Sequence, residues 1–181
     1  MSSEPLRPRL SYVIPAHNES AILEETVKTV VERLREFPGS EVLIVENGST
    51  DDTLAIARDL ARRDWDGVTV RAFSSAPGLA PAYRLAAGEA KGEHVVFTAA
   101  DLPFGFTDLD AFLALDELPD LAIGSKAHRD SRVERRLSRT VMSTAFRLLR
   151  RAVLGPTAAD PQGSLIVSKA VARDLALATV E

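Results

Sequence analysis

Two short apolar runs near the amino end each finish in a polar turn. They read Ser-Tyr-Val-Ile-Pro-Ala-His-Asn-Glu-Ser within Leu10–Ser20, and Val-Leu-Ile-Val-Glu-Asn-Gly-Ser-Thr-Asp-Asp-Thr within Glu41–Thr53. Carboxylates and amides at the carboxyl ends of successive parallel strands are where an open α/β sheet holds its ligand. Glu19 there can accept hydrogen bonds from ribose hydroxyls, and Glu46 and Asn47 fall where the edge of a base could be read. Pro15 removes an N–H and fixes φ, so the turn through Ala16 and Asn18 leaves backbone groups facing outward. Gly48 permits close backbone approach, with Ser49 beside it. Each motif has a plainer reading: Asn18 or Glu19 starting a helix, and the second motif serving as a well-capped strand-to-helix turn. The pair, roughly thirty residues apart, is far more specific than either alone.

The elements that must carry these turns alternate. Leu10–Ile14, Glu41–Glu46, Val68–Ala72 and His94–Thr98 read as strands. Between the first two, Ile22, Leu23, Val27, Val30, Val31 and Leu34 recur at helical spacing, predicting a helix over Ala21–Glu36. Ser49 three residues before Asp52 resembles a capping box opening a second helix through Leu54, Ala57 and Leu60. A third helix is expected over Leu79–Ala90. After Thr98 come a loop with Asp101, Pro103 and Gly105, a short helix near Asp108–Leu115 and a strand at Leu121–Gly124. A helix around Glu134–Leu154, a strand at about Ser164–Ser168 and a helix over Lys169–Ala178 complete the chain. Such alternation with short connections implies βαβ units and a helix-covered parallel sheet.

At 181 residues, with 45% hydrophobic and 27% charged residues, the composition is that of one ordinary globular domain over 1–181. No cysteine is present, which excludes disulfides, thiolate metal sites and thiol catalysis and fits a reducing cytoplasm. Met1–Arg9 lacks the apolar core of a signal peptide, and nowhere do 18 apolar residues run together. The net charge of −4 conceals an asymmetry. Lys126–Arg151 holds nine Lys and Arg against two acids, a local charge of +7, while the remainder carries 13 basic against 24 acidic residues. A basic block on an acidic protein marks contact with phosphates or an anionic membrane surface, or else a solvated helix face.

On these motifs the chain resembles family-2 glycosyltransferases of the GT-A fold, a Rossmann-like, mostly parallel α/β sheet sandwiched by helices. The likeness runs from Ser11 to about Arg173. It is strongest to the branch that moves a sugar from a nucleotide to a polyprenyl (dolichyl-type) phosphate. Ile14–Glu19 matches that family's Ile/Val-Pro-x-Tyr/His-Asn-Glu, and Val45–Thr53 matches Val-Asp-Asp-Gly-Ser-Thr-Asp-x-Thr, with Glu46 and Asn47 replacing two aspartates. Leu79 stands in the glycine-rich helix start where lysine is common. The family's Asp-Ala-Asp, which holds a divalent cation on the donor diphosphate, reads Ala99-Ala100-Asp101 here. The resemblance therefore implies Mg2+ or Mn2+ on Asp101 alone, weakened by Ala99.

Further along, Gly124-Ser125-Lys126-Ala127-His128 is similar to the Gly-Ser-Arg-Ala-His acceptor-side motif of dolichyl-phosphate glucosyltransferases. Asp160-Pro161-Gln162-Gly163 resembles a turn beside the active site, so Asp101, Asp160 and Gln162 are implied in catalysis. Arg135 and Arg139 lie four apart on one face of the expected helix, and with Lys126 would hold an acceptor phosphate. An apolar stripe of Leu137, Val141, Leu148 and Ala152 beside them suits a helix resting on a bilayer, or one packed on the sheet.

The function implied is inverting transfer from a UDP- or GDP-sugar to a lipid phosphate. The chain would work in the cytoplasm with peripheral contact at the inner membrane face, and without a nucleic acid partner. The alternative is a nucleotide-sugar-binding protein whose catalysis weakened or was lost with the first metal aspartate. A nucleotidyltransferase is disfavoured by the lack of a triphosphate-holding Gly-rich signature with following Arg and Lys. An NAD-dependent oxidoreductase is disfavoured because no Gly-x-Gly-x-x-Gly follows the first strand.

Overall fold

The computed structural model describes residues 7–103, 105–124 and 164–177. In chain order the elements are β1 (Leu10–Ala16), α1 (Leu23–Leu34), β2 (Glu41–Glu46), α2 (Thr53–Leu60), β3 (Thr69–Ser74) and α3 (Leu79–Glu89). They continue with β4 (His94–Phe97), α4 (Thr107–Leu113), β5 (Leu121–Ile123), β6 (Leu165–Ser168) and α5 (Lys169–Leu177). The expected helix around Glu134–Leu154 lies outside the described residues.

The strands form one sheet in the order β3-β2-β1-β4-β6-β5. β3, β2, β1 and β4 are parallel, whereas β6 runs antiparallel to both β4 and β5. The chain winds outward from β1 to β3, then returns to place β4 on the other side of β1. That reversal opens a crevice beyond the carboxyl ends of β1 and β4, the place where open α/β sheets bind ligands.

Both faces of the sheet are covered, which is why β1 and β2 read as nearly continuous apolar runs. Leu10, Tyr12 and Ile14 pack with Val27, Val30 and Leu34 of α1, Leu60 of α2 and Phe112 of α4. Val13, Leu43 and Val45 face Ala82, Tyr83 and Ala86 of α3 and Leu175 of α5. Each large side chain so buried contributes about 1.5–3 kcal/mol relative to exposure.

Pro15 stands inside β1, which runs to Ala16, two residues past the expected end of that strand, and it pairs with Val45 of β2. The carbonyl of Val13 accepts the N–H of Thr98 at 3.4 Å, so residue 15, two further on, presents its backbone to the same side. β4 has already ended at Phe97 there. The missing N–H therefore costs no ladder bond, and the strand can carry proline at the lip of the crevice.

At the opposite, amino-terminal edge a buried polar network anchors α3. The Glu41 carboxylate is 4% exposed and accepts from Ser11 Oγ at 2.7 Å, from the Lys91 N–H at 2.7 Å and from Arg71 Nη1 at 3.2 Å. The Gly92 N–H donates to Ser11 Oγ at 2.8 Å, and a Cβ on Gly92 would lie 2.5 Å from the Ser11 nitrogen. Only glycine lets that backbone approach. Replacing Glu41 by alanine orphans these buried donors, so a loss of about 2–4 kcal/mol is expected in urea unfolding. The turns at the carboxyl ends of the strands should be undisturbed, because this network lies at the far edge from them.

Candidate functional site at the carboxyl ends of the strands

The β1–α1 and β2–α2 turns are laced together by side chain–backbone hydrogen bonds. The N–H groups of Asn18, Glu19 and Ser20 donate to Ser49 Oγ (3.0 Å), Thr53 Oγ1 (2.8 Å) and Asp51 Oδ2 (3.2 Å). In return Asn18 Oδ1 accepts from the Thr50 N–H at 2.8 Å. The Asn47 N–H donates to the Ala16 carbonyl at 3.0 Å, carrying the β1–β2 pairing one step past the strands. Asn18 adopts φ +56°, a left-handed conformation that asparagine tolerates better than most residues.

The expected capping box on Ser49 and Asp52 does not form. α2 starts at Thr53 with no side-chain cap on Asp52. Asp51 takes that work instead, accepting from the Thr53 N–H at 3.0 Å and from its hydroxyl, which leaves Ser49 Oγ for Asn18. Hydrogen bonds from Ser20 and Thr53 hold the exposed Asp51 carboxyl well below the usual carboxylate range.

Glu46 is likewise turned inward. Its Oε1 accepts the N–H groups of Gly48 (2.6 Å) and Ser49, and its Oε2 accepts Ser74 Oγ at 2.9 Å. Burial pushes its pKa up, but these hydrogen bonds outweigh burial and leave it below the ordinary value. Gly48 has φ +92°, and a Cβ there would lie 2.9 Å from Pro77, so the β3–α3 loop closes directly over it. Pro77 and Asp51 contribute without having been singled out by residue type or spacing. The family-like Thr50-Asp51-Asp52-Thr53 run was the signal for Asp51.

Two of the sequence-predicted groups retain unspent chemistry. Asn47 is 6% exposed, and its Oδ1 has no hydrogen-bond partner among the described residues. An orphaned buried acceptor costs roughly 1–3 kcal/mol, which a ligand N–H placed there would recover. The second is the Glu19 carboxyl, whose pKa is raised first by burial and then by the charges of Asp101 and Asp51. The charge of Asp101, on the loop after β4, thus reaches Glu19 on the turn after β1. Pro15 and Ala16, the last residues of β1, stand at the lip of the crevice.

Asp101 is exposed on the loop that follows β4. Among the described residues no three His, Cys, Asp or Glu side chains gather to hold a metal. Lys126, Arg135, Arg139, Asp160 and Gln162 lie outside the described residues. The two residues that flank their segment, Gly124 and Ser164, are joined by a 2.8 Å N–H to carbonyl bond. Because Leu165 pairs with both Phe97 and Ile123, that junction sits at the same carboxyl edge as Asp101. Among the described residues no helix is long and apolar enough to cross a membrane.

Element order and strand order together define a Rossmann-like α/β domain with a mostly parallel sheet flanked by helices. A model of glycosyl transferase family 2 matches residues 11–175, and the chain belongs to that family. It is 31% identical over 158 residues to glycosyltransferase AglD of Haloferax volcanii, covering 84% of this chain and 25% of that protein. It is 35% identical over 123 residues to polyprenol monophosphomannose synthase of Mycolicibacterium smegmatis, covering 65% of this chain and 45% of that protein. The chain thus spans less than half the length of either relative. Among solved structures, glucosyl-3-phosphoglycerate synthase of Mycobacterium tuberculosis shares the fold. Its TM-score is 0.56 at 23% identity, over 91% of this chain and 58% of that one.

Glu19→Gln removes a carboxylate that is crowded by like charge, so in metal-free protein at neutral pH it should raise the Tm. The sign follows from linkage: a folded-state pKa above the ordinary 4.5 means stability falls as pH rises through that window. The gain should accordingly vanish in scans below the ordinary glutamate range, where Glu19 is protonated in both states.

Proposed function

We propose that this site binds a UDP- or GDP-sugar and that the domain transfers the sugar, with inversion, to a lipid phosphate of polyprenyl type. The observation that carries the reading is the orphaned Asn47 Oδ1 just past the end of β2, together with Glu19 after β1, whose carboxyl is pushed up by burial and by the charges of Asp101 and Asp51. A buried acceptor suits the ring N–H of uracil or guanine, whereas adenine and cytosine carry a ring acceptor there and only an exocyclic amine to donate. Glu19 suits the ribose hydroxyls, and Pro15, Ala16, Gly48 and Ser49 shape the cradle around them. Family membership and the likeness to the mycobacterial polyprenol monophosphomannose synthase support the donor and acceptor classes. The M. tuberculosis synthase that shares the fold was crystallised in complex with Mn2+, UDP-glucose and phosphoglyceric acid.

Asp101 fits a cation carried largely by the donor's own phosphates, since Mg2+ is commonly bound through one or two carboxylates plus substrate oxygens and water. Bound there, Mg2+ or Mn2+ would offset the charge that builds on the departing diphosphate. An oxygen of the acceptor phosphate bonds to the anomeric carbon as the bond from that carbon to the donor diphosphate breaks. The electron pair leaves with the nucleoside diphosphate. The acceptor phosphate is already ionised near neutral pH, so no side chain need take a proton in this step. Arg135, Arg139 and Lys126 are proposed to orient that phosphate, and Asp160 and Gln162 to line the reacting centre. The arginine-flanked apolar stripe supports peripheral contact with an anionic membrane face.

Ala99 favours a second reading, a domain that binds the donor but turns it over poorly. A thermal-shift panel should find UDP- or GDP-sugars stabilising, ADP- and CMP-sugars inert, and the response lost in Asn47→Leu. Stabilisation by none, or by ADP-sugars, contradicts the donor assignment. Alanine at Arg135 and Arg139 should raise acceptor KM or lower kcat with donor affinity intact; normal turnover in both variants removes the acceptor assignment. Metal-dependent activity gained on Ala99→Asp, from a protein that only binds, would favour the second reading.

A further inference from the structure

β4 ends at Phe97, and the chain must then turn sharply to bring residue 101 to the crevice. The turn is tight. The Leu102 N–H donates to the Ala99 carbonyl at 3.1 Å, and the Gly105 N–H to the Leu102 carbonyl at 2.9 Å. Leu102 has φ +44°, a left-handed conformation that a branched, non-glycine residue rarely adopts. Strained positions persist only where the surroundings hold them. Here the restraint comes from another element. The Thr26 hydroxyl donates to the Ala100 carbonyl at 2.6 Å, a buried bond between residues 74 apart. Thr26 is 7% exposed and Ala100 4%.

A helical threonine ordinarily bonds back to the carbonyl four residues earlier, as Thr29 does to Glu25 at 2.9 Å. Thr26, on the same helix, reaches across to the β4–α4 loop instead. α1 itself follows directly from the Asn18–Glu19 turn, where the Glu19 carbonyl accepts the Leu23 N–H at 2.9 Å. The Thr26 bond therefore ties the Asp101 loop to the helix that extends from the nucleotide-side turn.

We propose that Thr26 is a positioning residue, whose hydroxyl fixes the Ala100 carbonyl and so sets where the Asp101 carboxylate meets the donor diphosphate and its cation. This rests on the role proposed for Asp101 above. Ala99 makes the demand sharper, because one carboxylate must supply the orientation that two supply elsewhere in the family pattern.

The test is calorimetric titration of Mn2+ into the protein saturated with UDP or GDP, paired with nucleotide titration in EDTA. Asp101→Ala, Thr26→Ala, Thr26→Val and Thr26→Ser are compared. Thr26→Ala removes the hydroxyl without a new methyl against the carbonyl, so it remains informative if Thr26→Val fails to fold. Mn2+ affinity should fall by about tenfold in the Ala and Val variants, as when a ligand's supporting partner is lost, and be largely restored in Thr26→Ser. Metal-free nucleotide affinity should be unchanged in the Thr26 series. Asp101→Ala without effect on Mn2+ overturns the role of Asp101. Asp101→Ala weakened with Thr26→Ala unchanged overturns the role of Thr26 alone. Equal losses with and without metal, unrescued by serine, mean Thr26 is only structural and also overturn it.

Discussion

The hydrogen-bond lattice between the two leading turns is the constraint on which the site depends. Three consecutive N–H groups, from Asn18 to Ser20, need acceptors that the first turn of α1 cannot supply. The β2–α2 turn supplies them from Ser49, Thr53 and Asp51, and Asn18 returns a bond to Thr50. Glu46 and Asp51 brace the β2–α2 turn from within, and the cross-bonds join the β1–α1 turn to it. Their union fixes the spacing of the β1 and β2 tips, and it sorts the charges between them. Asp51 and Glu46 are kept ionised by N–H and hydroxyl donors, while Glu19, burdened by burial and by neighbouring carboxylates, is the group a ligand hydroxyl or cation would relieve.

The sheet determines where that lattice points. The reversal of strand order beside β1 leaves a gap that β4 vacates at Phe97. Proline at position 15 is tolerated because its missing N–H faces that gap. Satisfied and unsatisfied buried polarity are divided between the edges. The Glu41 network holds the amino-terminal edge shut with satisfied buried polar groups, whereas the carboxyl edge keeps an orphaned acceptor and unrelieved like charge. Strain and unsatisfied polarity collect where a ligand would repay them.

Most of this architecture was legible in the residues, since buried strands with apolar periodicity and helices with 3.6-residue spacing dictate their own type. The antiparallel course of β6 was not, because a four-residue apolar strand carries no mark of direction. The Ser49 capping box failed for a related reason: a local signature cannot reveal that Asn18, 31 residues away, competes for the same hydroxyl. The motif residues Asn18 and Glu46 fall at the two strand-to-helix turns, where their side chains brace the backbone. The spacing of Leu23, Val27 and Val30 puts Thr26 on the buried face of α1 and Thr29 outside it, but no local pattern names the Ala100 carbonyl, 74 residues away, as the partner of Thr26. Lys126, Arg135, Arg139, Asp160 and Gln162 stand as expectations drawn from resemblance.

Hydrogen–deuterium exchange with and without UDP or GDP and Mn2+ tests the central claim most directly. Amides of residues 16–20, 46–50 and 98–103 should gain protection together, while those at 91–93, on the opposite edge, should not change. Protection confined to other regions, or none at saturating nucleotide, would contradict a donor site at the tips of β1, β2 and β4.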